Sequence, residues 1–137
     1  MIHSNDQCVN NEIAVWNGLE MRRKILGSLL ICVMATSAAA EFSHVREQSD
    51  FVALVAGKEL KRPFIKLEVS TDGGISGMGA AWPVTGEWTW HNGYFCRDLF
   101  WDGDALGYNC QKVEAAGDRI KFTSDKGTGK SAEFRLR

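Results

Sequence analysis

From Phe64 to the end of the chain, apolar and polar residues alternate in short runs that are separated by turn residues. In the first run, Ile65, Leu67 and Val69 share one face, and the residues between them are charged. A period of two over such a run is typical of a strand that is buried on one side. Runs of this kind, repeated at roughly 8–12 residue spacing with short turns between them, indicate an antiparallel meander.

Strands are predicted over residues 64–69, 75–82, 84–91, 94–101, 107–113, 120–123 and 132–137. No stretch between them is long enough for the helices that parallel strands require, so a parallel α/β sheet is excluded. About seven or eight consecutive strands would most simply close into a small lipocalin-like barrel. The predicted fold class is therefore all-β, as an antiparallel up-and-down barrel or sandwich.

One short helix is predicted before the strands, within residues 41–58. Ser49 can cap it, and Gly57 would end it. Apolar residues recur at helical spacing at three positions, Phe51, Leu54 and Val55.

Asn92-Gly93 lies between two apolar runs and is the strongest short hairpin signal in the chain. A two-residue turn there would place Trp90 opposite Phe95 and Trp88 opposite Arg97. Alternation then predicts one shared face for Trp88, Trp90, Phe95, Arg97, Leu99 and Trp101. The same register pairs Glu87 with Asp98, two like charges, and a bulge would break the face assignment beyond Arg97.

The composition is that of one packed domain. The chain has 137 residues, a hydrophobic content of 45% and five tryptophans, which is enough for one domain with a core. Its net charge is −1 and its basic residues are scattered, so no nucleic-acid partner is predicted.

Residues 21–40 have the three features of a secretory signal peptide in the right order. Met21 opens a short basic start, an uncharged and mostly apolar run follows over 25–37, and a small-residue site ends at Ala40. We therefore expect cleavage between Ala40 and Glu41. A transmembrane anchor is the alternative, but the uncharged run is shorter than the ~18–20 residues that span a bilayer.

The resulting organisation has three parts. Residues 1–20 are polar, show no periodicity and precede the signal peptide, so we interpret them as an upstream extension that is not native. Residues 41–137 form the single mature domain, predicted to be a periplasmic or secreted monomer that does not contact the membrane after cleavage.

Two cysteines remain in that domain, Cys96 and Cys110. An even count in an oxidising compartment predicts a disulfide, although two buried free thiols would also fit. No metal site is predicted, because His44 and His91 lie in unrelated segments and no further cysteine accompanies the pair. Pairing Cys96 with Cys110 would also bring Asn109 and Gln111 onto the tryptophan-rich face.

That face has two interpretations. In the functional one it is a lined pocket in which Arg97 faces an anionic or polar ligand. In the structural one, which we favour from the residues alone, the tryptophans fill a barrel core and Arg97 reaches solvent at the rim. The candidate ligand-binding residues are Trp88, Trp90, Arg97, Trp101, Asn109 and Gln111.

Catalytic and nucleotide-binding signals are weak. Residues 127–131 end like a phosphate-binding loop, but Ser124 stands where its first glycine should be and no helix follows. Asp102 and Asp104 flank a turn glycine, which is an ordinary place for aspartate. No catalytic residue and no cofactor are predicted.

Several segments together resemble a family of short exported bacterial proteins whose function is not established. The resemblance covers most of residues 45–137, and the segments that carry it are Gly86-x-Trp88-x-Trp90, residues 93–97 (GYFCR), residues 107–111 (GYNCQ), Phe122-Thr123-Ser124-Asp125 and Phe134-Arg135-Leu136-Arg137. It implies export and a small β fold. Some members are labelled dihydrodipicolinate reductase, so this activity is the concrete form of an enzyme alternative. The chain contains no G-x-G-x-x-G motif for the dinucleotide that such a reductase uses.

The predicted function is non-catalytic binding of an unidentified small molecule or protein. Besides the enzyme, a periplasmic inhibitor of a hydrolase is an alternative. It would need an exposed segment that enters a target's cleft, for which residues 41–50 are the candidate.

Overall fold

The computed structural model describes residues 38–137. The predicted upstream extension and residues 21–37 of the predicted signal peptide lie outside this range. The elements in chain order are β1 (Ser43–Val45), α1 (Gln48–Val55), β2 (Glu59–Arg62), β3 (Ile65–Val69), β4 (Gly74–Gly79), β5 (Trp82–His91), β6 (Tyr94–Trp101), β7 (Asp104–Ala116), β8 (Arg119–Thr123), α2 (Ser124–Gly127) and β9 (Ser131–Leu136).

Strands β2 to β9 form a closed antiparallel barrel of eight strands. Each strand pairs with the next one along the chain, and β9 returns to pair with β2, where Leu136 lies opposite Leu60. The predicted all-β up-and-down barrel is thus confirmed. A ninth strand, β1, pairs with the second half of β7, where Val45 lies opposite Val113.

The hairpin of β5 and β6 has the register that Asn92-Gly93 predicts. Trp88 lies opposite Arg97 and Trp90 opposite Phe95, and both turn residues have positive φ angles, 50° and 82°, as a type I′ turn requires. The β5–β6 pairing is continuous even though Glu87 lies opposite Asp98. The irregularity occurs on the other side of β6, between Leu99 and Phe100 where they pair with β7, so the predicted face extends to Trp101.

The predicted helix of residues 41–58 is too long, because α1 covers only Gln48–Val55. Val45 is buried in the sheet as part of β1, so pairing with β7 replaces helical hydrogen bonds there. The residue at the N-cap is Glu47 and not Ser49. Gly57 has a φ of +67° just after the helix, in keeping with its predicted place.

Several strand assignments also differ from the prediction: β4 ends at Gly79 and not at residue 82, and β7 covers Asp104–Ala116 and not only residues 107–113. Strand β2 was not predicted, because its four residues include one buried side chain, Leu60, and so show no visible alternation. Strand β5 begins at Trp82 and includes Pro83, which was expected to precede the strand.

Helix α1 covers one end of the barrel and completes its core. Phe51 and Val55 are both 0% exposed. The Phe51 ring lies 5.2 Å from the rings of Trp88 and Trp90 and 5.0 Å from that of Phe95, measured between centroids. Aromatic rings at these separations attract one another in addition to the apolar area they bury.

At one position on β5, a side chain would not fit against the neighbouring strand. At Gly86 on β5, an added Cβ would overlap the carbonyl oxygen of Asp98 on β6. This glycine therefore allows β5 and β6 to pack with their backbones in contact.

Cys96 on β6 and Cys110 on β7 are directly opposite each other and form the predicted disulfide. The two residues are 14 apart in sequence. Closing a loop of this length stabilises the folded state by ~3 kcal/mol in the chain-entropy description.

Candidate ligand-binding cavity

The barrel interior is filled at one end and hollow at the other. The end that α1 covers is packed with aromatic rings. At the opposite end, where β2 meets β3, β4 meets β5 and β6 meets β7, a cavity of about 450 Å³ opens. We call the second end the open end. All eight strands of the barrel contribute to the cavity lining, whose apolar side chains include Leu67, Val69, Ile75, Phe95, Leu99 and Phe122.

Arg97 places a guanidinium group inside this apolar cavity. The side chain is half-buried, and its Nη1 donates a hydrogen bond to the carbonyl oxygen of Gly107 over 2.7 Å. Among residues 38–137, no carboxylate lies within ion-pair distance of it. Burial lowers the pKa of Arg97 because the charged form loses hydration.

The other nitrogen atoms of Arg97 face accessible space. Within the described part of the chain, His44 Nε2 is the one buried side-chain nitrogen or oxygen without a hydrogen-bond partner. The unbonded N–H groups of Arg97 are therefore accessible, and the residue belongs to the cavity lining. A guanidinium has five N–H donors in one plane, and most of them are available here.

The lining of the cavity carries positive charge and no negative charge. Arg62, at the end of β2, is the second charged residue of the lining, and no aspartate or glutamate belongs to it. The Arg62 guanidinium lies 5.6 Å from the centroid of the Phe134 ring, within reach of a cation–π contact. Gln111 adds a neutral amide to the lining.

Large apolar side chains surround the open end and are exposed. Phe64 is 85% exposed, Leu106 53%, Trp82 50% and Trp101 41%. Trp101 is held in place because its Nε1 donates to the carbonyl oxygen of Gly79 over 3.0 Å. Apolar surface of this kind around a cavity is typical of binding sites and uncommon on other surfaces.

The structure brings three of the six predicted binding residues together in the cavity, namely Arg97, Trp101 and Gln111. Trp88 and Trp90 instead pack against Phe51 at the closed end. The indole N–H of Trp88 donates to the carbonyl oxygen of Ser70 over 2.8 Å, and that of Trp90 donates to the carbonyl oxygen of Arg46 over 3.2 Å. The face predicted from sequence is therefore part core and part cavity lining.

The sixth predicted residue, Asn109, bonds to the β8–β9 connection. Its amide nitrogen donates to Asp125 Oδ1 over 2.8 Å, and its amide oxygen accepts the backbone N–H of Asp125 over 3.0 Å. Asn109 thus anchors a connection in which Asp125 and Lys126 both have positive φ angles. The cavity lining does not include it.

Sequence reasoning missed Arg62, Phe64 and Leu106 as lining residues. Arg62 lies directly opposite Ile65 and shares its interior face. Its place in the lining could therefore have been predicted from the sequence, but only if strand β2 had been recognised. Leu106 lies in the irregular part of the β6–β7 pairing, where alternation does not predict which way a side chain points.

The remaining sequence candidates lie elsewhere. Residues 127–131, which end like a phosphate-binding loop, connect α2 to β9. Residues 41–50, the candidate inhibitory segment, include β1 and the start of α1 and pair with β7. Across residues 38–137, no group of three His, Cys, Asp or Glu side chains is arranged to hold a metal ion. Within the same range, neither helix is long and apolar enough to cross a membrane.

The fold and the cavity define a small antiparallel β-barrel with one packed end and one open end. Comparison of the chain with protein-family profiles, characterised proteins and solved structures found no match. The resemblance to the family of short exported bacterial proteins therefore stays a prediction.

Proposed function

We propose that this protein is an exported, non-catalytic binding module that holds a small, largely apolar ligand in the open half of its barrel. The cavity carries this proposal. Its volume of about 450 Å³ falls within the range of about 300–1,000 Å³ that small-molecule sites occupy. Such sites combine a mainly apolar lining with a few polar groups. Here the lining is mainly apolar, and Arg97 and Gln111 are among its few polar groups.

The packing of the barrel favours a ligand that enters from one side. The aromatic cluster around Phe51 occupies the closed end, whereas exposed Phe64, Trp101 and Leu106 surround the open end. A closed barrel also holds its lining residues on paired strands, so little ordering is needed on binding.

The proposed location is the periplasm or the exterior of the cell. Two observations support it, the signal-peptide pattern of residues 21–40 and the disulfide between Cys96 and Cys110. Disulfides persist in oxidising compartments and are rare in the cytosol.

Binding is tested with a neutral fluorescent probe, N-phenyl-1-naphthylamine, whose emission rises in apolar surroundings. We expect saturable binding by the wild-type domain and a loss of at least about tenfold in affinity for Leu99→Trp, because the larger side chain occupies the cavity. The matched control is Phe100→Trp. Phe100 is the next residue along β6 and is 37% exposed, so the same residue type is introduced on the outer face.

Circular dichroism confirms that both variants are folded before they are compared. Equal probe binding by the two tryptophan variants, or no saturable binding by the wild-type domain, would contradict the proposed function.

A further inference from the structure

We infer that the ligand is an anionic amphiphile, a molecule with an apolar body and one carboxylate, phosphate or sulfate group that binds Arg97. This inference rests on the proposed function and names its ligand class. Four observations on the cavity support it.

The first observation is an unpaired charge. A buried charge is costly unless an opposite charge or hydrogen-bond partners compensate it. Arg97 is half-buried among apolar side chains, and within residues 38–137 it has no carboxylate partner. An anionic group on the ligand would supply the missing partner.

The second observation is the geometry of the free donors. One hydrogen bond, to the Gly107 carbonyl oxygen, orients the guanidinium of Arg97. The remaining N–H groups lie in the same plane and are accessible at the cavity lining. A guanidinium in this state forms two parallel hydrogen bonds with a carboxylate or phosphate, which are stronger than bonds to a neutral acceptor.

The third observation is the sign of the charge in the rest of the lining. Its charged residues are Arg97 and Arg62, and its other polar side chain beyond Trp101 is the neutral amide of Gln111. A cationic ligand would meet repulsion from both arginines and no carboxylate of the lining. Arg62, exposed at the open end, would also attract an anion as it approaches.

The fourth observation is the apolar surface on either side of Arg97 along the barrel. Phe95, the preceding interior residue of β6, packs with Phe122, and Leu99 and Trp101 continue the lining toward the open end. A purely polar anion would leave these surfaces without contact, whereas an amphiphile would bury its apolar body against them.

The test is displacement of the neutral probe by three ligands with the same alkyl chain and different head groups. These are dodecanoate and dodecyltrimethylammonium, each used below its micelle-forming concentration, and dodecan-1-ol, used below its solubility limit. We expect dodecanoate to displace the probe at a concentration at least about tenfold lower than dodecan-1-ol, since hydrogen bonds to charged groups are worth more than neutral ones. The cation should be the weakest of the three.

The decisive variant is Arg97→Met, which keeps a long side chain and removes the charge. It should remove most of the preference for dodecanoate, since Arg62 remains, and leave the affinity for dodecan-1-ol within a few fold. Arg97→Lys should retain part of the preference. It keeps the positive charge but loses the planar guanidinium that donates two parallel hydrogen bonds to one anionic group. Arg137→Met, which removes an exposed arginine outside the lining, is the control and should behave as wild type.

The outcomes separate this inference from the proposed function. If the three ligands bind equally and Arg97→Met changes nothing, the binding module stands and the anionic ligand is wrong. If neither the probe nor any of the three ligands binds, the proposed function fails and this inference fails with it. Near-UV circular dichroism verifies that the Arg97 variants retain the native fold.

Discussion

The outer face of β7 carries a carboxylate between two lysines. Glu114 Oε1 lies 3.2 Å from Lys112 Nζ, and Glu114 Oε2 lies 3.0 Å from Lys121 Nζ on β8. The Glu114 side chain is 17% exposed. The hydrogen bond from Lys121 is the main reason that the pKa of Glu114 is lowered from its ordinary value of 4.5, and Lys112 adds to this.

A lowered carboxylate pKa predicts a loss of stability in acid. Because the folded state binds the proton of Glu114 less readily than the unfolded state, its contribution is complete above about pH 4.5 and is lost as pH falls through the folded pKa. We expect Glu114→Gln to lower the free energy of unfolding by up to about 1 kcal/mol at pH 7. The difference from wild type should shrink as pH falls below 4.5.

Urea denaturation at a series of pH values measures this difference. The control is Glu68→Gln, which changes an exposed carboxylate on β3 that has no ion pair within the described residues. If the difference in unfolding free energy between Glu114→Gln and wild type does not change with pH, the two lysines do not favour the ionised form of Glu114.

At the scale of elements, α1 is held by two buried side chains and not by its own helical stability. It has eight residues and no side-chain hydrogen bond at its N-cap, and helices this short are marginal in water. Phe51 and Val55, four residues apart, point into the end of the barrel and are both 0% exposed. The aromatic rings that surround Phe51 therefore fix where the helix lies.

This arrangement predicts that replacing Phe51 lowers the free energy of unfolding much more than replacing Phe64. Phe51→Ala should lower the free energy of unfolding by about 3–5 kcal/mol, because it removes a fully buried ring and leaves a cavity among aromatic side chains. Phe64→Ala, in the exposed β2–β3 connection, should change it by about 0.5 kcal/mol or less. Urea denaturation followed by tryptophan fluorescence measures both, and similar losses for the two variants would contradict the assigned role of α1.

At the scale of the whole molecule, the barrel joins parts of the chain that are far apart in sequence. Strand β9, the last of the sheet, pairs with β2, the first strand of the barrel, and β1 pairs with β7. The predicted cleavage junction, Ala40 and Glu41, is exposed and precedes β1. Removal of everything before Glu41 would leave all of the elements of the barrel intact.

This organisation predicts the form in which cells contain the protein. If it is exported, the native product should begin at Glu41, and Cys96 and Cys110 should resist alkylation until a reductant is added. Mass spectrometry before and after reduction measures both properties. An intact chain recovered from the cytoplasm with both thiols free would show that the export proposal is wrong.

The local pattern of residues determined the fold class and much of the register. Alternation indicated consecutive strands, and Asn92-Gly93 gave the pairing of Trp88 with Arg97. The two cysteines of the domain indicated the disulfide. These predictions succeed because a strand's two faces and a two-residue turn are set by residues that are close together in sequence.

Only the tertiary structure decided which part of the predicted face is core and which part is cavity. Trp88, buried under Phe51, and Arg97, open to the cavity, are directly opposite each other and look equivalent by alternation. Their surroundings differ because α1 covers one end of the barrel, whereas a cavity opens at the other. Burial along a strand depends on which distant segments reach each level of the barrel, and the alternation of one strand carries no information about them.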